Sequence, residues 1–141
     1  MRGILRSVAA LGVGLMVGAT ALGAEGAAGP AGDTAAPAWR AKVQAFAAEH
    51  FHNPAWGYSH SVRDYSLATT LAAEDHMTVD DDVLFAAAFL HDMAAFPPWA
   101  KPDKDHADEA AVDVVPVLQE AGFPMQKLAA VQGAIRTHMY D

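Results

Sequence analysis

The chain has no cysteine, which excludes disulfides, thiolate metal sites and cysteine nucleophiles. Positive charge is also scarce: nine Lys and Arg face 17 Asp and Glu, for a net charge of −8. So acidic a chain repels phosphate backbones and anionic lipid, which argues against nucleic acid or a membrane surface as partner. No stretch of useful length alternates apolar and polar residues with the period of a strand, and no internal repeat is found. Without strands or disulfides, the fold must rest on a helical core or a bound ligand.

The one apolar run near the start reads as a targeting signal. In MRGILRSVAALGVGLMVGATALGAEG, Arg2 and Arg6 form a positive region, and Ser7 to Leu22 is uncharged and rich in Gly and Ala. Ala21 and Gly23 stand at the −3 and −1 positions of a cleavage site before Ala24. Residues 1–23 are therefore expected to be a signal peptide and the protein to be periplasmic or secreted, without stable membrane association after cleavage. The alternative, an uncleaved anchor, is disfavoured by the shortness of the run. The separated arginines exclude a twin-arginine signal. Residues 24–37, ending in EGAAGPAGDTAAP, read as a flexible linker, so the folded domain spans 38–141. Cleavage would remove two arginines and no acid, taking the net charge from −8 to −10.

The folded part reads as an all-α bundle of about five helices. Apolar residues at 39, 43, 46 and 47 predict a first helix from Trp39 to His50. FHNPAWGYS interrupts it, and Ser59 is positioned to cap a second helix to about His76, with Leu67, Leu71 and Ala72 facing inward. Asp80, Asp81 and Asp82 open a third helix, where acids suit the positive end of the helix dipole. Its body, VLFAAAFL, is apolar all round and should be central. FPPWAKPDKD is a loop by its three prolines. Asp105 then caps a helix to about Ala121, in which Pro116 should produce a kink or irregular turn. Gly122 ends that helix, and Pro124 starts a last one reaching about Met139.

Histidines fall on these helices in a pattern. FLHDMAAF ends the most apolar helix in His91 and Asp92. His91 follows Leu84, Ala87 and Ala88, and Asp92 follows Phe85, Ala88 and Phe89, at helical spacing. His60 lies seven before Leu67. His106 heads a stripe through Ala110, Val114, Val117 and Ala121, and His138 follows Leu128, Val131 and Ile135. One buried histidine is ordinarily a core residue with one hydrogen bond. Four, together with an aspartate, are costly to bury unless something pairs them, and a divalent cation does so. His50, His52 and His76 lack this placing and read as surface residues.

On these residues the chain resembles the HD-domain superfamily of metal-dependent phosphohydrolases, from about Ala38 to its end. GYSHSVRDYSLA resembles the family's first motif, LFAAAFLHDMAAF its central His-Asp motif, and KPDKDHADEAA and AIRTHM two further histidine motifs. The resemblance implies an all-α fold with His60, His91 and Asp92 as ligands of one divalent metal ion (Mn, Fe, Zn or Mg). His106 and His138 would serve a second metal or the substrate phosphate, with Asp92 as a bridge. It implies hydrolysis of a phosphomonoester or phosphodiester of a small molecule by a metal-activated water, with Asp92 and Asp64 as catalytic residues. Asp64, one turn after His60, could orient that ligand or accept the water's proton.

Two features depart from the pattern. Met93-Ala94-Ala95 follows His-Asp where many catalytic members carry Gly-Lys, leaving Lys101 and Lys104 as the candidates for binding substrate phosphate. The family's closing aspartate, on a later helix, has no counterpart before Asp141. The chain would then be a fragment, or lack that ligand, or replace it by water or Asp141. The competing readings are an exported metal- or ligand-binding pseudoenzyme without turnover, and a non-phosphate HD chemistry such as that of a hydratase or iron oxygenase. Trp56, Phe96 and Trp99 flank the motifs and could line a pocket or belong to the core. The export reading is checked by mass spectrometry of the exported protein, which should begin near Ala24; an intact Met1 in the membrane fraction would identify an anchor.

Overall fold

The computed structural model describes residues 35–139. The expected signal peptide, all of the linker but residues 35–37, and Asp141 lie outside that span. Five α-helices and two single 3-10 turns make up the domain, with no strand among the described residues. In chain order these are α1 (Ala38–His50), α2 (Tyr58–Glu74), α3 (Asp81–Leu90), a turn at Met93–Ala95, α4 (His106–Ala121), a turn at Met125–Lys127, and α5 (Leu128–Arg136). None of these helices is long and apolar enough to cross a membrane.

α1 buries Trp39, Val43 and Ala47, a stripe at intervals of four. Its chain then turns through Asn53, whose Oδ1 accepts from the amides of Ala55 (2.8 Å) and Trp56 (3.1 Å). Gly57 closes that turn. A Cβ there would lie 2.4 Å from the Phe51 carbonyl oxygen and 2.5 Å from that of Asn53, so the site tolerates no side chain. α2 starts directly behind it at Tyr58. Ser59 is therefore not the cap: it sits in the first turn, and its Oγ faces Arg63 at 3.4 Å.

The inner face of α2 also differs from expectation. Leu67 and Leu71 are 58% and 48% exposed, and only Ala72 of the expected trio is buried. The helix is turned so that Ser61, Tyr65, Ala68 and Ala72 face inward. Tyr65 accounts for that rotation. Its ring packs edge-on to Phe85 (5.1 Å between centroids), and its hydroxyl donates to Asp81 at 2.8 Å. One aromatic anchor with a polar tip outweighs two aliphatic side chains. α2 ends at Glu74, and His76 (φ +53°) takes the left-handed position, with the Met77 amide bonded to the Ala72 carbonyl.

α3 lies at the centre, in contact with α1, α2, α4 and α5, and buries Phe85, Ala86, Ala87, Phe89 and Leu90. Its N-terminus is tied down by charge. The Asp80 side chain caps the helix by accepting from the amides of Asp82 and Val83. Arg40 from α1 reaches Asp81 and Asp82, each at 2.7 Å, while Lys127 reaches Asp80 (2.8 Å) and Asp82 (2.9 Å). α4 is capped by Asp105, which accepts from Ala107 and Asp108, and ends at Gly122 with φ +90°. α4 runs through exposed Pro116 without interruption. The last helix begins only at Leu128, after the 3-10 turn, and stops at Arg136, short of Met139.

Bonding to Arg40 and Lys127 holds the Asp82 carboxylate below its ordinary value of 3.8, against the opposing effect of partial burial. A depressed folded-state value means that the stabilisation is fully present above pH 3.8 and disappears as pH falls through the lower folded value. Acid titration followed by circular dichroism should therefore show stability lost below about pH 4 in the wild type. Asp82→Asn should be less stable at pH 7 by about 1 kcal/mol, with a shallower acid limb. Identical acid limbs would remove this ion cluster from the stability of the fold.

Candidate metal centre

Four helix ends meet at one point. His60 lies in the first turn of α2, His91 is the residue that closes α3, Asp92 follows it, His106 is the first residue of α4, and His138 lies two residues beyond α5. All five expected ligands therefore converge, although they span 79 positions of chain. His91 is buried, and the other four are half-buried.

One device orients two of the imidazoles. A helix C-terminus leaves its last carbonyls without amide partners. His91 Nδ1 lies 3.0 Å from the Ala88 carbonyl, and His138 Nδ1 lies 2.6 Å from the Ile135 carbonyl, each three residues earlier. A carbonyl only accepts, so Nδ1 carries the proton in both rings. In the neutral ring this leaves the Nε2 lone pair free, directed at the centre.

The Asp92 carboxylate stands between two groups of nitrogens. Its Oδ2 is 3.2 Å from His91 Nε2 and 3.5 Å from His60 Nε2. Its Oδ1 is 3.5 Å from His106 Nε2 and 3.6 Å from His138 Nε2. Two triads result, His60–His91–Asp92 and Asp92–His106–His138, each close enough to hold one ion. Asp64 joins the first from the exposed side, its Oδ2 3.0 Å from His60 Nε2 and 3.7 Å from His91 Nε2.

Burial works against charge on His91, but the bond and charge of Asp92, with smaller help from the Ala88 carbonyl and Asp64, hold the imidazole above its ordinary 6.5. Burial likewise opposes the Asp92 carboxylate, and His91, His138 and His60 together hold it below 3.8. The site thus keeps its carboxylate ionised among the imidazoles.

The donor set fits a divalent cation. His138 Nε2 is buried and has no hydrogen-bond partner. His60 Nε2 and His91 Nε2 face each other at 3.3 Å, where two neutral rings in this tautomer would oppose lone pairs. A cation resolves both deficits, and imidazole with carboxylate is a ligand set that transition metals accept.

The lysines lie to one side. Lys101 pairs with Glu109 and with Asp113 at 3.5 Å, and both Lys101 and Lys104 line a cavity of about 300 Å³ that His106 also borders. Trp56, Phe96 and Trp99 stay out of the metal cleft. Phe96 stacks on Phe51 (4.8 Å) with Trp56 against it (4.9 Å), and Trp99 packs on Phe46 and His50. His50 is accordingly half-buried rather than a surface residue, while His52 and His76 are exposed. The two orienting carbonyls were not read from the sequence. The signal was available, because a histidine just past a helix end can always reach a carbonyl three residues back.

These helices and this cluster define a helical domain with a histidine–aspartate cluster able to hold metal. The family model described as HD domain matches residues 57–141, and the chain belongs to the HD-domain family. Across that family, the domain binds divalent metal and is associated with phosphohydrolase activity of the metal-dependent type. No match was found among curated proteins or among solved structures.

Elemental analysis of purified protein should find bound transition metal. Asp92→Ala should lose essentially all of it and His91→Ala most of it, while far-UV circular dichroism stays helical. Unchanged metal content in both variants would overturn the ligand assignment.

Proposed function

We propose that the protein hydrolyses a small phosphomonoester or phosphodiester, using two cations held by His60, His91 and Asp92 and by Asp92, His106 and His138. The observation that carries this reading is the Asp92 carboxylate, which turns one oxygen to each triad. A bound divalent cation supplies Lewis-acid charge that lowers the pKa of water and polarises a phosphoryl oxygen. The imidazole-rich set favours Mn, Fe or Zn over Mg.

In hydrolysis, a P–O bond forms to the water oxygen and the ester P–O bond breaks, the leaving oxygen taking up a proton. Asp92 positions both centres. Asp64, 38% exposed at the mouth, accepts the proton of the attacking water. Lys101 and Lys104 would meet the phosphate from the His106 side. Lys101 already engages two carboxylates, so Lys104 is the stronger candidate. The amino-terminal layout of the sequence supports an activity in the periplasm or outside the cell, and the acidic composition supports a small-molecule substrate rather than nucleic acid.

Metal-loaded protein should hydrolyse p-nitrophenyl phosphate or its bis ester. Asp92→Ala should abolish turnover, and Asp64→Asn should retain metal while losing about 10²-fold or more in kcat. Near-stoichiometric metal with no turnover of either ester would replace the hydrolase by a binding protein.

A further inference from the structure

The metal centre opens into a cleft of about 430 Å³ between α2, α3 and α5. Beyond the cluster and Asp64, its walls are Ala68, Leu84, Ala87, Ala88, Ala134 and Met139. None of these six side chains can donate a hydrogen bond, and the Met139 thioether is no more than a weak acceptor. The cleft does not end at the cluster. Leu84, Ala87 and Ala134 also line a second depression, of about 460 Å³, with Val79, Val83 and Ala130. The two share a floor, so one groove follows the outer face of α3 back from His91 to Val83, eight residues or about 12 Å at the rise of a helix. Its far end is closed by polar groups, including Asp80 and Lys127, which are paired with each other at 2.8 Å.

Such a groove discriminates by chemistry. The hydroxyls of a sugar or the further phosphates of a nucleotide would be desolvated against alanine and leucine with no partner, which is penalised. An alkyl or aryl group gains in proportion to the area it covers. The lysines that could hold additional anionic groups face the separate cavity beside His106. Small residues keep the groove open: Ala130 and Ala134 on one wall and Ala68 on the other leave room that larger side chains would fill.

We propose that the substrate is an amphiphilic phosphate ester, its phosphate at the His–Asp centre and its apolar chain lying along α3. This rests on the phosphohydrolase reading above, and the test separates the two. Full-length, metal-loaded protein is titrated calorimetrically with n-alkylphosphonic acids from methyl to octyl, which cannot be hydrolysed at phosphorus. The expected result is a Kd that falls about two- to fourfold with each added methylene, the range set by partial to full burial. Ala134→Trp, which obstructs the groove, and Leu84→Asp, which charges its floor, should each flatten that dependence. Both should leave the methylphosphonate Kd within about twofold of wild type, because neither residue belongs to a triad: Leu84 lies two helical turns before His91, and alanine at 134 offers no ligand atom.

Binding of methylphosphonate with no gain from chain length would overturn the groove proposal and leave the phosphate reading standing. A chain-length gain that survives in both folded variants would also overturn it, since the chain would then lie elsewhere. Binding of no phosphonate at all would overturn both readings. A groove covered by another part of the protein or by a second copy gives the flat series.

Discussion

The ionised Asp92 carboxylate, half-buried at the end of the most apolar helix, is the constraint around which the domain is organised. A carboxylate in that position is costly without compensation. Its partners come from as far away in sequence as His60 and His138, and all of them reach it from helix ends. Helix ends are where the backbone changes direction, so a side chain there can be directed inward, and the C-terminal ends also leave carbonyls free to orient His91 and His138. The bundle supplies four such points. α3 acts as the rigid post because its body is apolar on every side and locked in the core.

The opposite end of α3 is held by the complementary device. Asp80 caps the helix and, with Asp81 and Asp82, collects Arg40, Tyr65 and Lys127, so α1, α2 and the approach to α5 are fastened to its N-terminus. Ion pairs at a partly exposed site contribute modestly to stability. Their value here is geometric: they fix how far α3 can slide or rotate, and His91 and Asp92 ride on its other end. Tyr65 couples the same cluster to α2, the helix that presents His60 and Asp64. Gly57 completes this control by letting the chain turn tightly enough to start α2 two residues before His60.

Much of this was legible in the chain itself. The helix count, the acidic opening of α3, the cap Asp105, the stop at Gly122 and the apolar character of α3 follow from local rules of hydrogen bonding and helical periodicity. The five residues that converge were legible as candidate ligands because ionisable residues on apolar stripes are conspicuous. The rotation of α2 was not. Leu67 and Leu71 suit an inward face as well as Tyr65 does, and only the presence of Phe85 and Asp81 opposite decides between them. Likewise, nothing local places His50 on Trp99 or turns Ser59 away from capping.

What the sequence determined by itself is therefore the set of helices, some of their ends and the candidate residues for a cation, since each depends on neighbours within about one turn. The tertiary structure alone decided that Asp92 divides its two oxygens between two triads, that Asp64 joins the first, and that an apolar groove leads away along α3. Those properties depend on distances between residues far apart in the chain, and such distances are set by packing rather than by any local pattern.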